Sequence, residues 1–403
     1  MVATSPPPKR LRRSPPGGQR QRPGEAGSAA FAWSNSQLRR VVHLVRNLVG
    51  GLLAGSTAAH AAALPEDKAE VLLHSYDGGG VKATGPALLV RKSLADKVSL
   101  QAQYYVDAVS NASIDVVTTA SPFRETRKAW DFSAEAVVRD STLTASVSRS
   151  REPDYQADAA SLDLAHEVFG GMSTVSLGFT RGADQVGMKG QAGWIGSATH
   201  WQYRAGVTQI LSPRWLVSLN AEAMADSGYL GSPYRSARVF GAFVHERNPS
   251  TRSSRAVKLR SVTDTHAWLA GSALRAEYRY YWDNWAVRAH TTEVGASKPV
   301  RERLLLDVSL RLHSQGKALF YSDNASAETL YISRNRQLSS FTSTSLATRL
   351  TYTWPGLPAG YDVKLVGAYE FKQFRFKDFT DLRSGQAYGH NAHVLQAHVS
   401  ATF

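Results

Sequence analysis

Apolar and polar residues alternate along most of the chain beyond Leu64, in segments of about ten residues. In the segment 98–107, for example, Val98, Leu100 and Ala102 alternate with polar residues. A period of two is typical of strands, because successive side chains of a strand point to opposite faces. Sixteen candidate strands result, near 68–76, 84–92, 98–107, 129–138, 142–150, 160–168, 173–181, 198–211, 215–224, 254–264, 267–282, 285–294, 302–313, 343–354, 361–374 and 392–403.

The connections between these strands favour a membrane barrel over a soluble sandwich. Short links, such as Gly295–Arg301, alternate with links that are mostly long: 108–128, 182–197, 225–253, 314–342 and 375–391. Outer-membrane barrels have short periplasmic turns and long outer loops. The pattern predicts an all-β transmembrane antiparallel barrel of about 16 strands, range 14–18, with both termini periplasmic. The tight link Asp283–Asn284 is an exception, since a long loop is expected there.

The end of the chain supports the same fold. Leu395, Ala397, Val399 and Ala401 alternate with other residues up to the terminal Phe403. A terminal Phe on such a strand resembles the signal that outer-membrane barrels present to their assembly machinery, which is thus an expected partner. Tryptophans near strand ends predict the aromatic girdles of the two membrane interfaces: Trp130, Trp201, Trp215, Trp268, Trp282, Trp285 and Trp354.

Composition removes several alternatives. No apolar run approaches the roughly 18 residues of a membrane helix, and the absence of cysteine excludes disulfides and thiol chemistry. The net charge of +14 suggests a nucleic-acid partner. However, much of the excess lies in residues 1–61, which hold nine of the 47 Lys and Arg residues and only one of the 33 Asp and Glu residues. The remaining charges are mixed in sign along the strands, so no nucleic-acid partner is expected.

The N-terminal region predicts export. Residues 1–37 are rich in Pro, Arg, Gly and Ser, which predicts a disordered basic extension; an over-extended gene start is the alternative. Residues 38–61 combine arginines, an apolar stretch and Ala59-His60-Ala61, as in a Sec signal peptide cleaved after Ala61. The barrel then occupies 62–403, and the expected location is the cell outer membrane.

Several ordered strings resemble a proteobacterial outer-membrane family defined by a domain of unknown function. They are 64–68, 76–81, 112–122, 233–236, 277–281 and 320–323. The resemblance implies an outer-membrane barrel without an assigned activity. It also implies genes often found beside a periplasmic FMN transferase, a thioredoxin-like protein and a small lipoprotein, so a periplasmic lipoprotein or redox partner is expected from it.

The polar face of a sixteen-stranded barrel is predicted to line a lumen. The lumen-lining candidates carry both signs: Asp131, Glu135, Arg139, Arg275, Glu277, Arg279, Asp307 and Arg311. They predict either a polar pore, or cross-strand ion pairs that fill the interior. The nearly uncharged loop 108–122, with Asp115, is a candidate constriction, a cover for the outer mouth, or a plain surface loop.

Two functions stay open on this basis, with an outer-membrane enzyme as a third and less favoured alternative. One is a conduit or channel for small polar or anionic solutes; the other is a plugged scaffold for a periplasmic redox or metal-handling, flavin-linked system. A basic cluster near loop 225–253 suggests contact with outer-membrane lipid and the phosphates of lipopolysaccharide, or a solvated loop; it comprises Arg235, Arg238, Arg247, Arg252 and Arg255. No G-x-S-x-G or H-E-x-x-H motif is present, so no enzyme, metal site or cofactor is predicted.

Overall fold

Alternation along the chain produces sixteen antiparallel strands that close into one barrel. The computed structural model describes residues 64–95, 97–111, 123–265, 271–355 and 361–403. The barrel strands are β1 (Lys68–Gly78), β2 (Val81–Leu94), β3 (Val98–Asn111), β4 (Phe123–Val138), β5 (Ser141–Arg151), β6 (Tyr155–Val168), β7 (Ser173–Gly187), β8 (Trp194–Ser212) and β9 (Trp215–Gly228). They continue with β12 (Thr251–Asp264), β13 (Ala273–Asp283), β14 (Arg288–Arg301), β15 (Leu304–Gln315), β16 (Phe341–Thr353), β17 (Asp362–Asp381) and β18 (Gln386–Thr402). Outside the barrel, β10 (Ser236–Val239) pairs with β11 (Ala242–His245), and a 3-10 turn spans Arg336–Leu338.

The first and last strands close the barrel. Residues 68–78 of β1 pair with residues 392–402 of β18, and β1 pairs with β2 on its other side. Closure leaves no strand edge, so the inter-strand hydrogen bonds satisfy the backbone groups that a bilayer cannot. The predicted fold class and strand number are confirmed, since each candidate strand overlaps one barrel strand.

The outer wall is apolar along its whole circumference. Leu73, Leu219 and Leu395 are 59%, 52% and 60% exposed, and large apolar residues occupy the outward positions of the other strands. In water this surface would be unfavourable, whereas hydrocarbon accepts it. The alternating inward positions carry the polar residues, so the chain is a transmembrane barrel. In the described part of the chain, no helix is long and apolar enough to span a membrane.

Several predicted loops are wrong because strands extend through them. β7 reaches Gly187 and β8 begins at Trp194, which leaves only a short link in the predicted loop 182–197. β17 and β18 likewise take up most of 375–391, and β14 continues through the predicted turn Gly295–Arg301. The alternation weakens toward these ends because the strands there leave the apolar band.

The longest connections between described strands lie at the end of the barrel opposite the start of β1 and the end of β18. They are 229–250, between β9 and β12, and 316–340, between β15 and β16. The tight β13–β14 link also lies at this end. Its Trp285 is only 5% exposed and packs with Val287, Ala318, Tyr321 and Leu338. The assignment of Trp285 to an interface girdle is therefore wrong.

Candidate functional site

The structure places most of the predicted lumen residues on the inner wall. Residues that pair across strands share a face of the sheet. Glu277 pairs in register with Arg260 and Glu293. Asp307 pairs in register with Ser297 and Arg349. By the same register, Asp131, Glu135, Arg275, Arg279 and Arg311 point inward. Arg139 instead lies in the turn after β4, with a φ of 54°. Asp115 and the cleavage-site residues Ala59 and Ala61 lie outside the described residues.

Ion pairs connect the inward charges into a belt on the β6–β14 side. Arg275 lies 3.2 Å from Glu293 and 3.9 Å from Glu277, whose carboxylate is also 3.1 Å from Arg260. Farther round, Arg279 is paired with Glu222 at 3.2 Å. Glu277 and Glu293 are directly opposite each other, so the arginines offset a repulsion between like charges.

Two inward glycines make room for long arginines. Asp163 on β6, Gly178 on β7 and Arg204 on β8 are in register, and Arg204 reaches over the glycine to Asp163 at 2.6 Å. A Cβ on Gly178 would stand 2.2 Å from the Asp163 carboxylate. Gly295 has the same role beneath Arg275, whose Nη2 would be 2.9 Å from an added Cβ. Glycine at these two positions therefore leaves space for an arginine side chain on the lumen face of the wall.

The two long connections, 229–250 and 316–340, fold together into a structure that we call the cap. Backbone hydrogen bonds join them: Phe240 N–H to Ala325 O (2.9 Å), and Arg247 with Ile332 in both directions (2.9 and 2.8 Å). Ala237, Val239 and Ile332 form a small buried core. The cap is thus an ordered element with its own packing, and neither its β10–β11 hairpin nor its core is predicted by the sequence pattern.

A buried arginine fastens the cap to the β17–β18 hairpin. Arg334, whose side chain is 4% exposed, pairs with Asp323 at 2.8 Å, donates to the Thr380 carbonyl at 2.6 Å and stacks over Phe379. The Tyr321 hydroxyl donates to the Asp378 carbonyl at 2.8 Å. These contacts, with the Trp285 cluster described above, hold the cap against two separate parts of the barrel rim.

Cap and inner wall together line a cavity of about 510 Å³. The cap contributes Arg235, Asn248 and Gln337, while the wall contributes Arg252 and Arg279 among others. Arg252 and Arg279 are paired with carboxylates, but the Arg235 side chain makes no ion pair or hydrogen bond with any described residue. The Oδ1 of Asn248 is buried and also lacks a hydrogen-bond partner in the described chain. The cavity therefore offers one unpaired cation and several amide groups to a polar solute.

One histidine in this cavity is held by two carboxylates. The ring nitrogens of His200 lie 2.8 Å from Asp184 and 2.9 Å from Asp226. Tyr155 donates to Asp184 as well. Asp226 faces Arg252 in register, and Arg252 pairs at 2.6 Å with the fully buried Asp283 carboxylate. These bonds fix the wall of the cavity on the side facing the cap.

Two tyrosines of the cap have perturbed ionisation. Burial, followed by its hydrogen bond to Asp154, raises the pKa of Tyr234 to about 12. Burial also raises the pKa of Tyr321, with the Asp323 and Asp378 charges adding to the effect. Both phenols thus remain neutral donors across the physiological range, which suits their structural contacts.

Most residues that line the cavity are not predicted as site residues by the sequence pattern. Asp184, Asp226 and Arg252 fell in predicted loops, although each occupies an inward position of an extended strand. The five arginines assigned to one basic cluster are separated: Arg235 and Arg252 line the cavity, and Arg247 pairs with Glu328 at 2.9 Å. Arg238 bonds the Gly241 carbonyl, and Arg255 lies on the outer wall. Only the inward parity of β7, β9 and β12 could have signalled these positions.

Solved structures similar to this chain include several outer-membrane proteins. A bacterial polysaccharide outer membrane secretin has a TM-score of 0.48 at 10% identity, over 83% of this chain and 98% of that one. A FadL homologue of Pseudomonas aeruginosa has a TM-score of 0.41 at 11% identity, over 84% and 90%. The siderophore receptor PirA of Pseudomonas aeruginosa has a TM-score of 0.40 at 11% identity, over 79% of this chain and 60% of the receptor.

No curated protein sequence matches the chain. A family model described as "Protein of unknown function (DUF3570)" matches residues 47–195 and 191–356. These two matches span most of the chain, from the region before β1 to the end of β16. The chain belongs to the DUF3570 family.

Proposed function

We propose that the protein is an outer-membrane conduit for small polar or anionic solutes, with the cap on the outer side and both termini in the periplasm. The observation that carries this proposal is the cavity between cap and lumen wall, in which Arg235 has no carboxylate partner in the described chain. An unpaired guanidinium in a confined site attracts anions and orients a carboxylate or phosphate through paired N–H donors.

The cavity also supports a selective conduit over a wide pore. The cap residues Leu230, Asn335 and Leu338 meet the wall residues Tyr281 and Gln315 around it. A solute that passes this point loses most of its hydration and must replace it with contacts to the arginines and amides. Small anions and neutral polar molecules satisfy that requirement, whereas cations meet repulsion from Arg235.

A second function, a filled barrel that serves as a scaffold for a periplasmic redox or metal-handling partner, is favoured by one observation. Many of the charges of the inner wall are paired, and the cap is fixed to the barrel at two places. A lumen filled with ion pairs leaves little connected water.

Single-channel recording distinguishes the two functions. Refolded protein in a planar bilayer is expected to give stable open steps, and a salt gradient should give a reversal potential of anion-selective sign. Protein that is folded, as judged by anomalous migration of unboiled samples on detergent gels, but silent in the bilayer contradicts the conduit and supports the scaffold.

Cysteine labelling tests the orientation, since the chain has no cysteine of its own. Arg383→Cys, at the tip of the β17–β18 hairpin, should react with a membrane-impermeant maleimide on intact cells. Arg303→Cys, in the β14–β15 turn at the opposite end, is the matched control and should react only after the outer membrane is permeabilised. The reverse pattern contradicts the proposed orientation.

A further inference from the structure

Two cations oppose each other directly on the outer wall of the barrel. Lys128 of β4 and Arg151 of β5 are register partners, and both are exposed. Lys128 lies two residues before Trp130, which is 43% exposed on the apolar outer face, so the pair also points outward. Like charges directly opposite each other destabilise a strand pair. Neither side chain makes an ion pair or hydrogen bond with a described residue, although the Asp158 carboxylate, which pairs with Arg149, also attracts Arg151 electrostatically.

Neighbouring strands extend this pair into a basic patch, made of Lys128, Arg149, Arg151 and Arg181. The guanidinium carbon of Arg149 lies 6.0 Å from the centre of the Trp130 ring, and Arg149 also contacts Asp158. Among the described residues, Asp158 is the one carboxylate at an outward position beside the patch. Arg181 lies over Trp201 at 5.0 Å. Cations stacked on aromatic rings at the edge of an apolar band are placed at the level of lipid headgroups.

An apolar groove begins directly below the patch on the same side of the barrel. On the outward face of β7, Phe179 and then Leu177 lie below Arg181, farther from the capped end. Both line the groove together with Leu162 and Tyr203. Its floor contains the small residues Ala205, Ala221 and Ala223. Small residues between large ones leave a recess in the outer wall, which suits a hydrocarbon chain.

We propose that the basic patch and this groove bind a phosphorylated glycolipid of the lipid A type in the outer leaflet. The patch spans β4 to β7, which is three inter-strand spacings or roughly 14 Å, comparable with two phosphates at opposite ends of a disaccharide. Phosphatidylglycerol carries one phosphate and would leave part of the patch uncompensated. The inference rests on the outer orientation of the capped end proposed above, but not on whether the lumen conducts.

Native mass spectrometry of the detergent-solubilised barrel tests the site, with purified diphosphorylated lipid A as the probe. Wild-type protein should retain the lipid, and Lys128→Gln/Arg151→Gln should lower its binding about tenfold. Arg288→Gln, which removes an outward cation of the distant β14, is the matched control and should bind as the wild type does. Lipid A without phosphates should bind weakly to all variants.

Stability provides a second readout. In detergent without lipid A, the double variant should unfold at the same or a higher temperature than the wild type, because it loses a like-charge pair. Added lipid A should stabilise the wild type more than the double variant. Undiminished binding by the double variant overturns the site, and equal retention of phosphatidylglycerol overturns the assignment to lipid A. Cysteine labelling reports the orientation separately, so a failure there is distinguishable.

Discussion

Arg204 forms a salt bridge with Asp163 across a strand to which neither residue belongs. The two side chains, 2.6 Å apart, meet over Gly178 of β7. Such a contact ties three strands together on the lumen side, and it exists only because the middle strand lacks a side chain at that position. Glycine in a strand interior ordinarily weakens the strand. Here the loss is offset by an ion pair that crosses the wall.

Gly178→Ala should therefore destabilise the barrel. The added Cβ would lie 2.2 Å from the Asp163 carboxylate and 2.8 Å from the Arg204 guanidinium, so the ion pair must move apart. The expected loss is about 1–3 kcal/mol of unfolding free energy, the range for overpacking a fitted site. Urea unfolding of the barrel in detergent or lipid measures this change.

Gly367→Ala is the matched control for this variant. Gly367 lies in β17, and a Cβ there meets nothing within 4 Å. The control should match or slightly exceed the wild-type stability. If the two alanine variants unfold alike, the ion pair over Gly178 has no structural importance.

Arg235→Gln should reduce the anion preference of the conduit. The substitution removes the one unpaired cation that we find among the described residues of the cavity, while it leaves the packing of the cap intact. The reversal potential under a salt gradient should move toward zero, with little change in thermal stability. Arg238→Gln, which removes a cation of the same loop that bonds the Gly241 carbonyl and does not line the cavity, should leave selectivity unchanged. Equal effects of the two substitutions would assign selectivity to the general charge of the cap.

Arg334→Gln should detach the cap from the barrel rim. The substitution leaves the Asp323 carboxylate without its buried partner and the Thr380 carbonyl without its donor. Removing one member of a buried pair costs about 3–5 kcal/mol, and the lower end applies because Asp323 is partly exposed. Chymotrypsin should then cut the segment 316–340 of the folded barrel several-fold faster than it cuts the same segment of the wild type.

Arg383→Gln is the control for this experiment. Arg383 pairs with Asp381 at 2.8 Å on the same hairpin, but its side chain is 65% exposed, and exposed pairs contribute at most about 1 kcal/mol. Its cleavage pattern should equal that of the wild type. Protection of the cap in the Arg334 variant would show that the Trp285 cluster alone holds it.

The barrel could be predicted from the sequence, whereas the cap and the cavity could not. Every strand in the apolar band is marked by residues that must face lipid, such as Leu73 or Leu395, so the period of two is strong there. Beyond the band both faces of a strand contact water, so apolar and polar residues no longer alternate. The inward position of residues such as Asp184 and Asp226 is therefore not marked by the polarity of their neighbours. The cap is held by contacts between residues distant in sequence, for example Arg334 with Thr380, which no local pattern encodes.

The link between Tyr234 and Asp154 should be lost at high pH. The Tyr234 hydroxyl donates to Asp154 and accepts from the Lys189 backbone N–H at 2.8 Å, so it joins the cap to two shorter loops. Burial and the Asp154 carboxylate raise its pKa from 10.0 to about 12. The neutral phenol therefore stabilises the fold fully below about pH 10 and loses this effect as the pH rises through about 12.

Difference titration detects this group. The ultraviolet phenolate absorbance of Tyr234→Phe, subtracted from that of the wild type, should show one tyrosine that ionises near pH 12. The melting temperatures of the two proteins should differ at pH 9 and converge at about pH 12. A difference curve centred at about pH 10 would mean that Tyr234 is solvated and makes no such link.

Deletion of Phe403 should impair assembly of the barrel in cells. The Phe403 backbone N–H donates to the Asp67 carbonyl at 3.1 Å, and Lys92 lies 5.1 Å from the centre of its ring. These contacts are small, so the deletion should have little effect on the stability of refolded protein. Because the assembly machinery is expected to recognise the terminal ring, the amount of heat-modifiable barrel in the outer membrane should fall several-fold. Lys92→Gln, which removes the ring contact but keeps the terminal Phe, should assemble normally. A deletion that lowers refolded stability as much as it lowers the cellular yield would assign Phe403 a structural role only.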